Sequence, residues 1–255
     1  MRISLILFLC SIWPVLLHGA SLPDVVDRVR AGVVGVGKIY PPKQPIPRNK
    51  HRLTFSGTGF VVGNGQLIIT NAHVIPREFD TDNNETLAVF SGRGGDSQVS
   101  IARVIKVDDE HDLAVLGIDS KSLPALSLGD SDGVREGQEI ALTGFPIGTV
   151  LGLYPATHRG IVAAITPMAR PAERANNLSA AQIRRMRNMF DAFQLDAIAY
   201  PGNSGSPVYE TETGRVIGVV NSVVVKESRE SLLSSPSGIS YAIPAKYVKK
   251  LLDSL

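Results

Sequence analysis

Ser204 lies in the run Pro201-Gly202-Asn203-Ser204-Gly205-Ser206-Pro207, and a serine between glycines in a tight turn can carry out acyl transfer. Such a turn holds the hydroxyl clear of the backbone. It also lets neighbouring N–H groups converge where the oxyanion of an attacked carbonyl would form. The string alone does not decide the matter, because Gly-Asn-Ser-Gly also makes ordinary turns. A serine nucleophile needs a base, and the base needs an orienting acid. Residues 57–74, GTGFVVGNGQLIITNAHV, predict a strand, a hairpin turn at Gly63-Asn64-Gly65 and a second apolar strand ending at His73. A histidine there is held by the scaffold rather than free in solvent. In 107–118, VDDEHDLAVLGI, Asp108, Asp109 and Glu110 read as a solvated charge run, and His111 as an exposed neighbour rather than a second base. Asp112 instead heads the apolar strand LAVLGI, where a carboxylate is partly buried and costly unless paired. An imidazole N–H supplies that pairing, and the carboxylate then fixes the tautomer of the base. The chemistry-bearing residues therefore run in the order His73, Asp112, Ser204.

These residues need a rigid frame, and composition says which kind. At 255 residues and 44% hydrophobic, the chain can bury a full core. Its 24 glycines and 16 prolines are spread among short apolar runs, which suits many turns between short strands. Long helical periodicity is scarce, so the expected class is all-β.

Three stretches, TNAHV at 70–74, HDLAVL at 111–116 and GNSGSP at 202–207, resemble the trypsin-fold serine proteases of the bacterial HtrA/Deg type. LGDSDGVREGQEIALTGFPIG at 128–148, HRGIVAAI at 158–165 and ISYAIPAKYVKKLL at 239–252 extend the similarity over roughly residues 30 to 252. The resemblance implies two six-stranded antiparallel barrels, about 30–120 and 125–243, with the cleft between them and a C-terminal helix at about 244–254. It also implies a serine endopeptidase acting on polypeptides without metal or cofactor. His73 would be the base, Asp112 its orienting acid, and the N–H groups of Gly202 and Ser204 the oxyanion donors. In relatives that cut after Lys or Arg, an acid lies six residues before the nucleophile, on the floor of the primary pocket. Here that position is Ile198, with Asp196 assigned to the preceding strand. Walls from Val224, Val225 and Tyr241 complete a pocket suited to Val, Ala, Ile or Thr before the cut, since a buried cation without a counterion is costly.

The N-terminus predicts export. Arg2 precedes an apolar run at 3–17 and the small residues Gly19, Ala20 and Ser21, giving a signal segment over 1–21 and the protease domain over 22–255. The run is short of the roughly 20 apolar residues a membrane span needs, yet an uncleaved anchor remains the rival. A periplasmic or secreted destination follows. The single cysteine, Cys10, falls inside this segment, so no disulfide is expected in the exported chain. Loss of Arg2 lowers the formal charge from +2 to +1, too little to imply nucleic acid. The other histidines, His51, His73, His111 and His158, show no metal-ligand spacing.

The segment 166–193 departs from the family pattern. Ser179 and Gln182 suggest a capping box, and Ile183, Met186, Phe190 and Phe193 recur at helical spacing, predicting a helix over 178–193 before the nucleophile strand. It reads as a surface helix on the second barrel; its position also matches the regulatory loop of Deg-type proteases. The chain ends at Leu255 soon after AIPAKYV, so no PDZ-mediated partner is expected, and oligomeric state stays open. A non-catalytic binding or holdase protein on the same scaffold is the alternative function.

Overall fold

The Gly63-Asn64-Gly65 turn sets the first hairpin. Gly63 and Gly65 take positive φ values of 63° and 88°, which other residues reach only at a steric cost. The Asn64 side chain accepts the N–H of Gln66 (3.1 Å). This turn joins β2 (Leu53–Val62) to β3 (Leu67–Asn71) with Phe60 opposite Ile69 and Val61 opposite Ile68. The computed structural model describes residues 20–41, 50–146, 153–168, 190–221 and 239–255.

Around that hairpin, β1 (Val33–Ile39), β4 (Thr86–Ser91), β5 (Gln98–Asp108) and β6 (Leu113–Ile118) close a barrel in the order β1-β2-β3-β6-β5-β4. A second barrel follows, from β7 (Glu139–Gly144), β8 (Ala156–Met168), β9 (Phe190–Asp196), β10 (Pro207–Glu210), β11 (Val216–Asn221) and β12 (Ile239–Pro244). Its strands run β10-β11-β12-β9-β8-β7, and all barrel pairings are antiparallel. Closure leaves neither sheet with a free edge. Two closed six-stranded barrels are the all-β architecture expected. Among the described residues two helices flank the barrels, α1 (Leu22–Arg30) and α2 (Ala245–Asp253).

Each barrel has its own core, Val34, Val61, Ile68, Val89 and Leu116 in the first and Ile140, Leu142, Phe193, Leu195 and Val220 in the second. A third cluster joins them. Phe60, Ile69, Leu113 and Val115 of barrel one pack with Val216, Val219 and Ile243 of barrel two and with Val248 and Leu251 of α2. Strands at this seam are buried on both faces, which is why LAVLGI and VIGVVN are continuously apolar instead of alternating. α1, which the sequence reading did not foresee, buries Val25 and Val29 against Ala141, Phe145 and Tyr209 of barrel two. Its signals were present: Pro23 at the start, Asp24 in the first turn, Arg28 and Arg30 in the last.

The helix expected over 178–193 needs correcting where it can be followed. Residues 178–189 lie outside the described residues, but Phe190–Phe193 begin β9. Two ladders hold them: Phe193 pairs with Ile165 of β8 and with Ala242 of β12. Three-residue spacing of Phe190 and Phe193 imitates a helix, whereas Phe193 and Leu195 alternate as a strand and fill the core. Tertiary pairing overrides the local pattern. The cost of truncating Phe193 separates the two readings. As a core strand residue its change to Ala should destabilise by about 3–5 kcal/mol in urea unfolding. A surface-helix residue would lose no more than about 0.5 kcal/mol.

Candidate active site

His73 lies two residues beyond the end of its strand, not at the last strand position the sequence suggested. β3 ends at Asn71, and Ala72–Val74 form a 3-10 turn that carries the imidazole. Asp112 directly precedes β6 and adopts a left-handed φ of 53°. Asp and Asn tolerate that region better than most residues, through local bonding of their short polar side chains. From this turn the Asp112 carboxylate reaches the 3-10 turn twice: Oδ1 accepts the His73 backbone N–H at 3.0 Å, and Oδ2 lies 2.6 Å from Nδ1 of the ring. Asn221 of barrel two donates Nδ2 to the same Oδ2 at 3.0 Å. The Asp112 carbonyl is held as well, by the Ala72 N–H (3.1 Å) and by Nδ2 of buried Asn71 (3.0 Å). The pairing that a buried carboxylate demands is thus met from both barrels, with the Asp112 side chain only 8% exposed.

Ser204 lies in the second of two linked turns. The N–H of Asn203 donates to the Tyr200 carbonyl and that of Ser206 to the Asn203 carbonyl, both at 2.9 Å. Within those turns positive φ occurs at the third residue, Gly202 (100°) and Gly205 (86°). With Pro201 in second place, Tyr200-Pro201-Gly202-Asn203 fits a type II turn, and Asn203-Ser204-Gly205-Ser206 follows the same pattern. Gly205 donates its N–H to Val220 at 2.9 Å. Among the described residues, neither Gly202 nor Ser204 gives its N–H to a backbone carbonyl. The N–H groups of Asn203, Gly205 and Ser206 are therefore committed to backbone carbonyls, and those of Gly202 and of the serine itself are left over.

The turn rests on barrel one. Its Ser204 carbonyl accepts the Thr58 N–H at 2.8 Å. A Cβ on Gly57 would stand 3.1 Å from that carbonyl and 2.7 Å from Val74, the residue after His73. The serine turn and the histidine turn thus meet across Gly57.

Ile198 and Tyr241 are both half-buried. Asp196 closes β9, as the sequence reading had it. Ser240, which that reading passed over, donates its hydroxyl to the Ala197 carbonyl (2.8 Å) and ties the Ile198 segment to β12. Val224 and Val225 lie outside the described residues. His111 is not the exposed neighbour expected. Its ring meets Asp108 at 2.7 Å and stacks on Tyr247 of α2 with centroids 4.0 Å apart. Asp108 is likewise more than a solvated charge, since it accepts the N–H groups of Glu110 and His111. Asn71, Thr58 and Asn221 were also missed as site residues; Asn71 and Asn221 close apolar strands, which is the available signal, while Thr58 stands between two glycines.

The family model for the trypsin-like peptidase domain matches residues 57–219, which include His73, Asp112 and Ser204. The chain belongs to the trypsin-like peptidase family. It is 31% identical over 209 residues to a probable periplasmic serine endoprotease, DegP-like, of Chlamydia muridarum, a match covering 82% of this chain and 35% of that protein. To serine protease HTRA1 of Xenopus tropicalis it is 30% identical over 233 residues, 91% of this chain and 42% of that one. The chain therefore spans well under half the length of these relatives. Among solved structures, the HtrA-type protease AlgW with decapeptide superposes with a TM-score of 0.64 at 27% identity, covering 92% of this peptidase chain and 67% of AlgW.

One titratable group beside the serine turn gives a pH prediction. His158 of β8 packs near Tyr200 with its Nε2 buried and, among the described residues, unpartnered, and burial pushes its pKa below the ordinary 6.5. The unfolded chain then binds a proton more readily than the folded one. Stability is full above pH 6.5 and falls as pH drops toward the lowered folded value. In urea titrations between about pH 7 and 5, His158→Phe should lose less stability than the wild type.

Proposed function

We propose that the protein is a serine endopeptidase in which Ser204 is the nucleophile, His73 the general base and Asp112 the group that orients it. The 2.6 Å contact between Asp112 Oδ2 and His73 Nδ1 carries this reading. It leaves the imidazole Nε2 as the free ring nitrogen. His73 takes the Ser204 proton there as the hydroxyl attacks the scissile carbonyl. The uncommitted N–H groups of Gly202 and Ser204 receive the oxyanion. His73 then protonates the leaving amine, and water repeats the cycle to release the acyl group. Every proton in this sequence moves among Ser204, His73, substrate and water.

Polypeptides are the substrates. Peptide-bound AlgW, and relatives named serine endoproteases, support that class. The half-buried Ile198, where a basic-specific enzyme would hold an acid, supports a preference for Val, Ala, Ile or Thr before the cut. The apolar run after Arg2 and the relatives' periplasmic naming support export.

Turnover of unfolded casein and of a peptide library tests these assignments. Wild type should cleave both, and Ser204→Ala should cleave neither. Asp112→Asn should lower kcat by about 10⁴-fold, as loss of the orienting acid does in such triads. Failure of the wild type to turn over either substrate, with casein still bound, would favour the holdase reading. Cleavage mostly after Lys or Arg would refute the aliphatic preference alone.

A further inference from the structure

Thr58 is fully buried in β2 between Gly57 and Gly59, and its polar groups all leave their own strand pairing. Its hydroxyl donates to the Gly202 carbonyl at 2.7 Å and accepts the Phe145 N–H at 3.0 Å. Its N–H donates to the Ser204 carbonyl at 2.8 Å, and its carbonyl accepts the Thr70 hydroxyl at 2.7 Å. One residue of the first barrel therefore grips the serine turn twice, the end of β7 once, and the strand leading to His73 once. Among the described residues, no other side chain of barrel one bonds to residues 200–206.

We propose that Thr58 is a positioning residue: it holds the Gly202 and Ser204 N–H groups in the oxyanion-binding direction. This role rests on the reading of Ser204 as nucleophile.

The peptide plane 202–203 is pinned at one end by Thr58 Oγ1 on the Gly202 carbonyl, and at the other by the Asn203 N–H on Tyr200. The plane 204–205 is pinned by the Thr58 N–H on the Ser204 carbonyl and by the Gly205 N–H on Val220. Between them lies plane 203–204, which carries the Ser204 N–H and so has both neighbours fixed. Gly202 is the weak point. At φ 100° it has no Cβ to resist rotation, and glycine crosses between backbone regions more readily than any other residue. The Thr58 hydroxyl opposes that rotation. Steric limits hold the rest in register. A Cβ on Gly205 would stand 2.0 Å from the Thr58 carbonyl, and one on Gly144 would stand 3.0 Å from the Thr58 hydroxyl. The turn thus lies against the Thr58 backbone, and the end of β7 lies against the Thr58 hydroxyl and the Ser206 side chain.

Thr58→Val keeps the shape and removes the hydroxyl, while Thr58→Ser keeps the hydroxyl. Full-chain protein of each is assayed on one peptide substrate, with binding of a peptide boronic acid that places an oxygen where the oxyanion forms. Removing an oxyanion donor outright costs about 10²–10³ in kcat, so displacing two donors should cost about 10–100-fold. In Thr58→Val, kcat should fall by that factor with KM within about 2-fold, boronate affinity should fall in parallel, and Thr58→Ser should recover most of both. Amide exchange supplies a readout independent of turnover: Asn203 and Gly205 should exchange at least about 10-fold faster in the Val variant and near the wild-type rate in the Ser variant. Equal behaviour of the Ser and Val variants would overturn the proposal. So would a kcat loss that tracks only the unfolded fraction. Absence of turnover in the wild type would count against the nucleophile assignment instead, and the exchange rates would still decide whether Thr58 holds the turn.

Discussion

A carboxylate that the fold buries must be bonded, and Asp112 is where this molecule meets that requirement. Its side chain has almost no access to water. An unpaired charge there would cost several kcal/mol. The satisfying groups come from two places: the 3-10 turn of His73 and Asn221 from the opposite barrel. Meeting the requirement therefore orients an imidazole and joins the two barrels in one act. The left-handed backbone at Asp112, a conformation worth of order 1–2 kcal/mol in strain, is what turns the carboxylate toward the histidine.

The apolar seam makes this arrangement rigid. Phe60, Ile69, Leu113 and Val115 face Val216, Val219 and Ile243, and α2 covers the cluster with Val248 and Leu251. The strands adjoining the histidine and the acid are thus packed directly on the barrel that carries the serine. A site assembled across such a seam depends on the barrels keeping one relative position. Glycines at 57, 144 and 205 allow the approach, since a side chain at each would collide with the facing barrel or the serine turn.

Much of this was legible in the sequence, and the limits have physical causes. His73, Asp112 and Ser204 stood out because each is a polar group set into an apolar run or a glycine turn. The hairpin at Gly63-Asn64-Gly65 and the buried strand LAVLGI followed from local chemistry alone. Phe190–Phe193 misled because spacing of three fits a helix face, while their partners lie in β8 and β12, far away in the chain. His111 misled because its neighbours in sequence are charged, yet its neighbours in space are Tyr247 and Phe190. Thr58 gave no warning beyond a hydroxyl between glycines. Its importance lies in bonds to residues 145, 202 and 204, which only the fold brings near.

In the proposed mechanism His73, oriented by Asp112, activates Ser204. Tandem mass spectrometry of the full chain after reaction with a fluorophosphonate tests it most directly. A single phosphonylated residue, Ser204, is expected, with labelling at least about 100-fold slower once His73 is replaced by Ala. An adduct on another serine, or unchanged labelling in the His73→Ala protein, would contradict it.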